Sequence, residues 1–500
     1  MTTSSTATAQ NTSPRRHLMR VSAIFGAAAV VSALIVAPAL AVVPPSTVLG
    51  VNGNSSAISG DGRWMAFSSP AKLVASDTNG RRDVYLKDLS AGTVRIVSDP
   101  DGSAGVRQAN GDSDPLAPYD SSIGISVDGQ YVVFGSRASN LVAHDANGKS
   151  DVFRWNRANG AIELVSAKVG LPTTSSNGNS QHPKVSGDGR YVSFQSFASN
   201  LVAPQPAGAM NGPQILVRDM VTKKSTYTSL APGGVFPNGG SKHADISADG
   251  KWVAFDSEAS NLVAGDANGV ADVFRRGLVS NAITLVSKAA NGAASAALST
   301  HPSISGTGRF VAFESEGQLV PADNNVSGDV YVRDLMAVLP AALTALVSYD
   351  GGGGVDVLGV DAKFAAISAD GSRVAWCLDD TGFMFPMAFY STWALGTRNS
   401  TARSLERLSI SGNGKVVGGT EWENSDKTTA VRFPASTGNP LPAIAFIPGF
   451  AVVTDSTSGV AKVTVNGAVK RVGGGGKVAI VAGQTLKVWN GSGRTKSAVA

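Results

Sequence analysis

One short phrase recurs seven times along the chain and limits its possible folds more than any other feature. The phrase is an apolar residue, Ser, any residue, usually Asp, and then Gly; its copies begin at residues 58, 125, 185, 246, 304, 367 and 410. Self-similarity at a nearly fixed period is the signature of a repeat architecture, in which each unit covers the faces of its neighbours. We therefore expect most of the 500 residues to form one repeat array.

Each copy of the phrase introduces the same order of strand patterns. An alternating run such as "RYVSFQS" follows it, then a second run such as "DVFRWNR", and then a short third run that ends in "IVS" or "LVS". The apolar stretch before the phrase supplies a fourth strand. Four short antiparallel strands per unit are typical of a propeller blade. We name these strands a to d, so that the Ser-x-Asp-Gly phrase is the a–b turn, in which Gly tolerates positive φ and the Ser and Asp oxygens accept backbone N–H groups.

The prediction is thus an all-β fold, a β-propeller of four-stranded antiparallel blades over residues 42–440. Seven blades are favoured and six are the alternative, because the sixth unit has the unusual middle "GFMFPMAFYSTWALG" and the seventh follows early. Residues 441–500 predict short strands with Gly-rich turns, which either complete the last blade or form a small C-terminal β appendage. A strand that follows Ala41 is a further candidate for closing the ring.

Residues 1–41 predict a secretory signal. Arg15, Arg16 and Arg20 precede an apolar run over 21–40, and 39–41 form an A-x-A cleavage site. A Sec or a twin-arginine signal, cut after Ala41, fits this pattern; an uncleaved anchor is the alternative. The cleaved chain is expected to be a secreted or periplasmic monomer without stable membrane insertion.

Charge and cysteine content exclude some functions. The formal net charge is +5, and the three leader arginines reduce it to +5 − 3 = +2 for the cleaved chain, too little for nucleic-acid binding. The single cysteine, Cys377, excludes internal disulfides and is predicted to be buried. Arg and Lys beside the aromatics of strand c are predicted to form a solvated face. No G-x-S-x-G, H-E-x-x-H or P-loop motif occurs, so no catalytic residue is assigned.

The run "SGDGRYVSFQS" followed by "VRDM", and "SADGKWVAFDS" followed by "DVF", resemble TolB-like (WD-like) β-propeller repeats of exported bacterial proteins. The resemblance covers about residues 50–375 and extends more weakly to about 435. It implies a propeller and export. It leaves the activity open, because such propellers serve binding and several chemistries.

Three b–c loops carry an Asp-x-Asn-Gly pattern followed by a second Asp: Asp77, Asn79 and Asp83; Asp145, Asn147 and Asp151; Asp266, Asn268 and Asp272. A partial copy has Asp323, Asn325 and Asp329. One interpretation is a calcium site, since two carboxylates and an amide can supply three oxygen ligands, although calcium prefers six to eight. The other is a turn in which Asn-Gly reverses the chain and the Asp side chains cap N–H groups.

Three histidines occupy one repeat position, four residues before the Ser of the turn: His182, His243 and His301. Strand a is innermost in a propeller, so these side chains are expected to converge at the mouth of the central channel, on the rim of the b–c loops. Converging imidazoles suit a ligand or a divalent transition metal; packing before the first strand is the alternative. Some propeller lyases that resemble TolB hold a metal through channel histidines, which is what the resemblance implies for an enzyme.

Three functions follow as hypotheses. The main one is a binding or scaffolding module for a protein, a peptide or a cell-envelope glycan, whose ligand meets the rim of the long d–a connections, such as 99–121 and 229–243. The alternative is a metal-dependent polysaccharide lyase or hydrolase that uses the three histidines. The third is a structural repeat protein stabilised by calcium.

Overall fold

The computed structural model describes residues 55–100, 108–114, 123–336, 344–348, 361–379 and 411–413, together with the further strands named below. Within these residues the secondary structure consists of strands, turns and loops, without a helix. No helix of the described part of the chain is therefore long and apolar enough to cross a membrane. The predicted signal over 1–41 and residues 101–107 and 115–122 of one d–a connection lie outside the described residues.

Between residues 46 and 432, the described strands form seven four-stranded antiparallel sheets, which confirms the predicted propeller and its seven blades. Strands a to d are, in blade 1, Ser56–Ile58, Trp64–Ser69, Asp83–Asp88 and Val94–Ile96; in blade 2, Ile123–Ile125, Tyr131–Ser136, Asp151–Asn156 and Ile162–Leu164; in blade 3, Ser180–Val185, Tyr191–Ser196, Gln214–Asp219 and Lys224–Tyr227; in blade 4, Ser241–Ile246, Trp252–Ser257, Asp272–Gly277 and Ile283–Leu285; in blade 5, Ser299–Ile304, Phe310–Ser315, Asp329–Asp334 and Thr344–Leu346; in blade 6, Asp361–Ile367, Val374–Asp379, Met387–Thr392 and Thr397–Ser400.

Blade 7 joins the two ends of the array in one sheet. Its strands a to c are Leu405–Ile410, Val416–Glu421 and Thr428–Arg432, and its strand d is Ser46–Leu49, which precedes blade 1 in the sequence. Ser46–Leu49 pairs antiparallel with Thr428–Arg432, so that the ring is closed by backbone hydrogen bonds.

Residues beyond 440 form two further sheets. One has the strands Ala443–Ile447, Phe450–Thr454 and Lys477–Ala479; the other has Ala468–Gly473, Val460–Val465, Thr485–Trp489 and Thr495–Val499. None of these strands belongs to a blade.

The Ser-x-Asp-Gly phrase makes the predicted a–b turn. In blade 3 the Ser186 hydroxyl donates to Asp188 Oδ1 at 2.6 Å, and the N–H of Tyr191 donates to Ser186 Oγ at 2.9 Å. Gly189 has a φ of 75°, and a Cβ on it would lie 2.0 Å from the ring of Tyr131 in blade 2. The Gly therefore supplies the backbone conformation and the space for an aromatic side chain of the neighbouring blade.

A ring of backbone hydrogen bonds links the seven a–b turns. The bonds run from the N–H groups of Asp61, Val127, Gly187, Asp249, Gly306, Ala369 and Asn413 to the carbonyl oxygens of Val127, Gly187, Ala248, Gly306, Ala369, Gly412 and Gly60, at 2.8 to 3.4 Å. Each acceptor is the x residue of the phrase in the next blade. The ring holds the inner ends of all blades at a fixed distance from the axis.

The side chains at position x alternate between hydrogen and a Cβ group around most of this ring. They are, from blade 1 to blade 7, Gly60, Val127, Gly187, Ala248, Gly306, Ala369 and Gly412. A Cβ on Gly306 would lie 2.9 Å from the Ala369 carbonyl oxygen and 3.4 Å from Ala248 Cβ. Seven positions cannot alternate throughout, and two glycines, Gly412 and Gly60, meet where the ring closes.

The hydrophobic core lies between blades rather than within them. One cluster combines Ala66 and Leu86 of blade 1 with Val132 and Phe134 of blade 2, and the pattern continues around the described blades. Cys377 of blade 6 is buried, as predicted. A blade thus buries its two faces only in the presence of its neighbours.

The predicted solvated face of strand c is wrong. The Arg and Lys side chains concerned are buried: Lys87, Arg154, Arg218, Arg275, Arg276 and Arg333. Arg275 shows why, since its guanidinium lies 4.0 Å from the centre of the Trp252 ring and donates to the Gly308 carbonyl of the next blade at 2.6 Å. Arg stems and guanidinium planes fill the space between blades and satisfy backbone carbonyls there.

We expect Gly306→Ala to destabilise the propeller by about 1–3 kcal/mol, because its Cβ would be forced against the next turn. Urea unfolding measures the change. Gly328→Ala is the matched control, since its Cβ would lie 3.6 Å from its nearest neighbour and should cost no more than about 0.5 kcal/mol. Equal costs for the two variants would show that the ring of turns is not tightly packed.

Candidate functional site

The three histidines share an unusual backbone conformation. Their φ angles are 52°, 46° and 49° for His182, His243 and His301. Positive φ is uncommon outside glycine. At each of them the pairing of strand a with strand b shifts register, as in a β-bulge. A bulge redirects a side chain out of the regular alternation, and here it brings all three imidazoles to the wall of the central cavity.

The structure brings the three imidazoles together. The ring centres of His182 and His243 are 5.9 Å apart, and those of His243 and His301 are 4.1 Å apart. The cavity has a volume of 270 Å³, and all seven blades contribute to its lining. The His position of blade 6 is held by Phe364, which also has positive φ and also lines the cavity.

Each imidazole is held by an acceptor thirteen residues further on, in strand b of the same blade. His182 Nδ1 lies 3.2 Å from Gln195 Oε1, His243 Nδ1 lies 2.7 Å from Asp256 Oδ1, and His301 Nδ1 lies 3.3 Å from Glu314 Oε2. A carbonyl or carboxylate acceptor requires Nδ1 to carry a proton. These contacts orient the three side chains and favour a proton on Nδ1, and His301 Nδ1 also lies 3.0 Å from Thr300 Oγ1.

These acceptors are absent from blades that lack the histidine. At the same two positions, thirteen residues apart, the other blades have Ser55 and Ser68, Ser122 and Gly135, Phe364 and Cys377, and Arg407 and Thr420. Four of the seven blades form their four-stranded sheets without the pair, so the blade fold does not require it. The acceptors are functional candidates that the sequence analysis missed, although their constant spacing from the histidines was visible in the sequence.

The neighbouring charges shift the pKa values of this cluster in opposite directions. Burial raises the pKa of Asp256, but the charge and hydrogen bond of His243, with the charge of His301, outweigh it and hold the pKa below its ordinary value. Burial lowers the pKa of His301, but the charge and hydrogen bond of Glu314 outweigh it, and the pKa lies above its ordinary value. The cluster thus favours an ionised carboxylate beside a protonated imidazole.

A second layer of polar side chains lines the cavity beneath the histidines. Asp245 accepts hydrogen bonds from the N–H groups of Ile246 and Ile304, both at 2.9 Å, and from the Ser303 hydroxyl at 3.4 Å. Burial raises the pKa of Asp245, and the charge of Lys184 opposes that effect. The side-chain ammonium of Lys184 forms no hydrogen bond or ion pair with the residues that the structure describes, and its charge acts on Asp245. The sequence analysis had not singled out either residue.

The loop residues proposed for calcium form a turn network within each b–c loop. Asn79 donates through Nδ2 to Asp83 Oδ2 at 2.9 Å and accepts the N–H of Arg81 at 2.8 Å. The same Asn-to-Asp bond joins Asn147 to Asp151 and Asn268 to Asp272. The first carboxylate, Asp77, accepts the Tyr85 hydroxyl.

Each Asn thus directs its N–H, rather than its oxygen, to the second Asp. Across the described ranges, no group of three or more His, Cys, Asp or Glu side chains is arranged to hold a metal ion. Calcium binding by these loops therefore stays a prediction, and their hydrogen bonds account for the loop geometry without it.

No protein-family model matches the sequence, and no curated protein matches it. Among solved structures, an oligogalacturonate lyase from Vibrio parahaemolyticus is 12% identical, with 79% of this chain and 92% of that chain covered and a TM-score of 0.48. An oligogalacturonate lyase in complex with manganese is 13% identical (78% and 92% covered, TM-score 0.47), and TolB from Acinetobacter baumannii is 14% identical (79% and 81% covered, TM-score 0.36).

At these scores the similarities carry no argument about activity. The class of protein, a seven-bladed β-propeller, rests on the seven sheets of the chain itself.

We expect Glu314→Gln to lower the pKa of His301, because the variant keeps one acceptor oxygen but removes the charge that favours the imidazolium. Imidazole titration by NMR measures this, with the exposed Glu316→Gln as control. Since the folded pKa of His301 is raised above about 6.5, the stability it contributes is present below that pH and is lost as the pH rises through the folded value. The cost of Glu314→Gln should therefore be larger at pH 6 than at pH 9; an equal cost at both would contradict this coupling.

A second pH effect is expected in the b–c loops. Burial, the largest cause, raises the pKa of Asp151 to about 7. The protonated carboxyl of Asp151 therefore contributes to stability fully below about pH 3.9, and this contribution is lost as the pH rises through about 7. The free energy of unfolding of Asp151→Asn, relative to that of the wild type, should therefore rise by on the order of 1–4 kcal/mol between pH 5 and pH 8.5. Urea unfolding at the two pH values measures it. The exposed Glu258→Gln is the control.

Thermal melting of the wild type and of Asp151→Asn tests whether these loops bind calcium. With Asn147 donating to Asp151, we expect the melting midpoint of the wild type at pH 8 to be the same with calcium as with chelator. A midpoint raised by calcium in the wild type but not in Asp151→Asn would establish the loop as a cation site.

Proposed function

We propose that the chain is an exported binding propeller that holds a protein, a peptide or a cell-envelope glycan at the mouth of its central cavity. The proposal includes the export signal over 1–41 and the long connections on the same rim. One observation carries it: three of the seven blades place an oriented imidazole at the cavity wall, each with its own acceptor, whereas the other four blades form without such a pair.

The size of the cavity supports binding of part of a larger molecule. Its 270 Å³ is slightly smaller than the roughly 300–1,000 Å³ of typical small-molecule pockets. The a–b turns, linked by the hydrogen-bonded ring, do not line it. A chain end or a single side group can therefore enter, while the rest of the ligand stays on the rim.

Binding of peptides and envelope glycans to the purified chain tests this proposal. We expect His243→Asn and His301→Asn to weaken binding at least about tenfold, which corresponds to about 1.4 kcal/mol. Asn is chosen because it tolerates the positive φ of these positions. His144→Asn is the control, since His144 also has positive φ but is an exposed loop residue outside the cavity lining. Equal binding by all three variants would exclude the cavity mouth as the site.

A metal-dependent polysaccharide lyase or hydrolase is a second candidate, favoured by the Nδ1 acceptors. Histidines that ligate metals commonly donate their other N–H to a carboxylate or carbonyl, which fixes the ligating nitrogen. The imidazoles of His182, His243 and His301 have such acceptors, and this donor set suits a divalent transition metal. Their present arrangement is not that of a preformed metal cluster, so the rings would have to reorient around the ion.

Elemental analysis of the purified chain decides between the candidates. The enzyme hypothesis predicts one manganese, zinc or similar ion per chain in the wild type and its loss in His243→Asn. The binding hypothesis predicts substoichiometric metal in both, with ligand binding unchanged by a chelator.

A further inference from the structure

Nine Asn-Gly pairs lie wholly within the described residues. Asn is a thermolabile residue, and Gly after it has no side chain to hinder the approach of its backbone nitrogen to the Asn amide carbon. A bond between these two atoms closes a five-membered ring and releases the amide nitrogen as ammonia. Since the two atoms must first reach attack distance, hydrogen bonds that hold the Asn amide elsewhere oppose the reaction.

Three of the nine pairs lie in the b–c loops of blades 1, 2 and 4, and their Asn side chains bond through both amide atoms. Asn79 donates through Nδ2 to Asp83 and accepts the N–H of Arg81, two residues further on. Asn147 and Asn268 make the same two bonds. These three amides are therefore held at both ends.

Three more pairs lie in d–a connections, where the Asn bonds to a Ser in the b–c loop of the next blade. Asn177 Oδ1 accepts the N–H of Ser199 at 2.9 Å, and its Nδ2 donates to Ser199 Oγ at 2.8 Å. The same two bonds join Asn110 to Ser139 and Asn238 to Ser260. These amides too are held at both ends.

Two further pairs have an exposed Asn, and there the Gly nitrogen is held as well as the amide oxygen. Asn291 Oδ1 accepts the N–H of Ala293 at 3.0 Å, and the N–H of Gly292 donates to the Ala289 carbonyl at 2.9 Å. Asn159 and Gly160 repeat this arrangement with Ala161 and Asn156. The attacking nitrogen must lose its proton, and a hydrogen bond to a carbonyl retains that proton.

The ninth pair, Asn211-Gly212 in the b–c loop of blade 3, has none of these restraints. Both residues are exposed, and neither the Asn211 amide nor the Gly212 N–H forms a hydrogen bond within the described part of the chain. Pro213 explains part of the difference. In five of the other pairs the Asn oxygen accepts the N–H two residues further on, and a Pro at that position has no N–H to donate. Exposure alone does not distinguish the pair, since Asn291 is exposed too.

We propose that Asn211 is a site of spontaneous covalent modification, in which deamidation gives the b–c loop of blade 3 a negative charge. The Gly212 nitrogen gives its proton to hydroxide and bonds to Asn211 Cγ, while Nδ2 leaves as ammonia with a proton from water. Water then opens the ring. Cleavage of the new bond at Cγ gives aspartate, and cleavage at the backbone carbonyl carbon gives isoaspartate. One water is consumed, one ammonia is released, and no electron is transferred.

The modification changes a loop that is otherwise neutral. Residues 197–213 contain no Asp, Glu, Lys, Arg or His, whereas the corresponding loops of blades 1, 2 and 4 carry acids. The Pro213 carbonyl, two residues beyond Asn211, accepts the N–H of Ser241 at the start of blade 4. Isoaspartate would lengthen the backbone beside this link between blades. The inference concerns the covalent chemistry of the chain and is independent of the proposed binding function.

Peptide mapping by mass spectrometry tests the inference on the full chain, incubated at pH 8 in the folded state and again in urea. In the folded chain, Asn211 should convert at least about tenfold faster than each of the other eight Asn, because those must first break hydrogen bonds. In urea these bonds are lost, and all nine should convert at comparable rates. Conversion of Asn211 should be slower at pH 6, because the attacking nitrogen must be deprotonated.

Ammonia release gives a second readout with a matched pair of variants. Asn211→Gln should lower the initial rate of release from the folded chain, because the longer side chain cannot close the five-membered ring. Asn291→Gln, at an exposed pair held by hydrogen bonds, should leave the rate unchanged. Thermal melting shows whether each variant is folded.

Conversion of Asn147, Asn177 or Asn291 as fast as that of Asn211 in the folded chain would overturn the inference. So would equal ammonia release by the wild type and Asn211→Gln. If Asn211 were faster than the other eight by the same factor in urea, the cause would be the local sequence, and the structural inference would be wrong.

Discussion

The ring of hydrogen bonds between successive a–b turns is the constraint on which the rest of the structure depends. Each turn gives one N–H and accepts at one carbonyl, so every blade is tied to two others at its inner end. Small side chains at position x permit this approach. The innermost strands are thereby held close to the axis, which is why the imidazole ring centres of neighbouring blades lie 5.9 Å (His182 and His243) and 4.1 Å (His243 and His301) apart.

The scaffold and the site use different parts of the repeat. Features shared by most blades, such as the turn Ser and Asp and the buried arginines between blades, hold the ring together. The cavity mouth is built instead from departures: a histidine and its acceptor occur in blades 3, 4 and 5 only. Because the ring places equivalent positions side by side, three neighbouring departures become one asymmetric patch on an otherwise repetitive surface.

Buried carboxylates favour opposite protonation states in the b–c loops and at the cavity mouth. Asp151 is surrounded by neutral donors, and its burial favours the protonated form. Asp256 is as well buried, but His243 beside it supplies a positive charge, and the ionised form is favoured. The difference comes from the partner and not from burial. Asp151 is therefore part of a hydrogen-bonded loop, whereas Asp256 forms an ion pair that orients the His243 imidazole at the cavity.

The sequence by itself determined the blade architecture, the a–b turn and the position of the histidines on one rim, because strand alternation and turn chemistry are local and repeat with the period of the fold. It also contained the thirteen-residue spacing between His243 and Asp256. Only the tertiary structure decided that the arginines of strand c are buried, that Lys184 and Asp245 share the cavity, and that Ser46–Leu49 completes blade 7. These features depend on contacts between blades and between segments distant in the sequence. A local sequence pattern does not determine which surfaces contact each other.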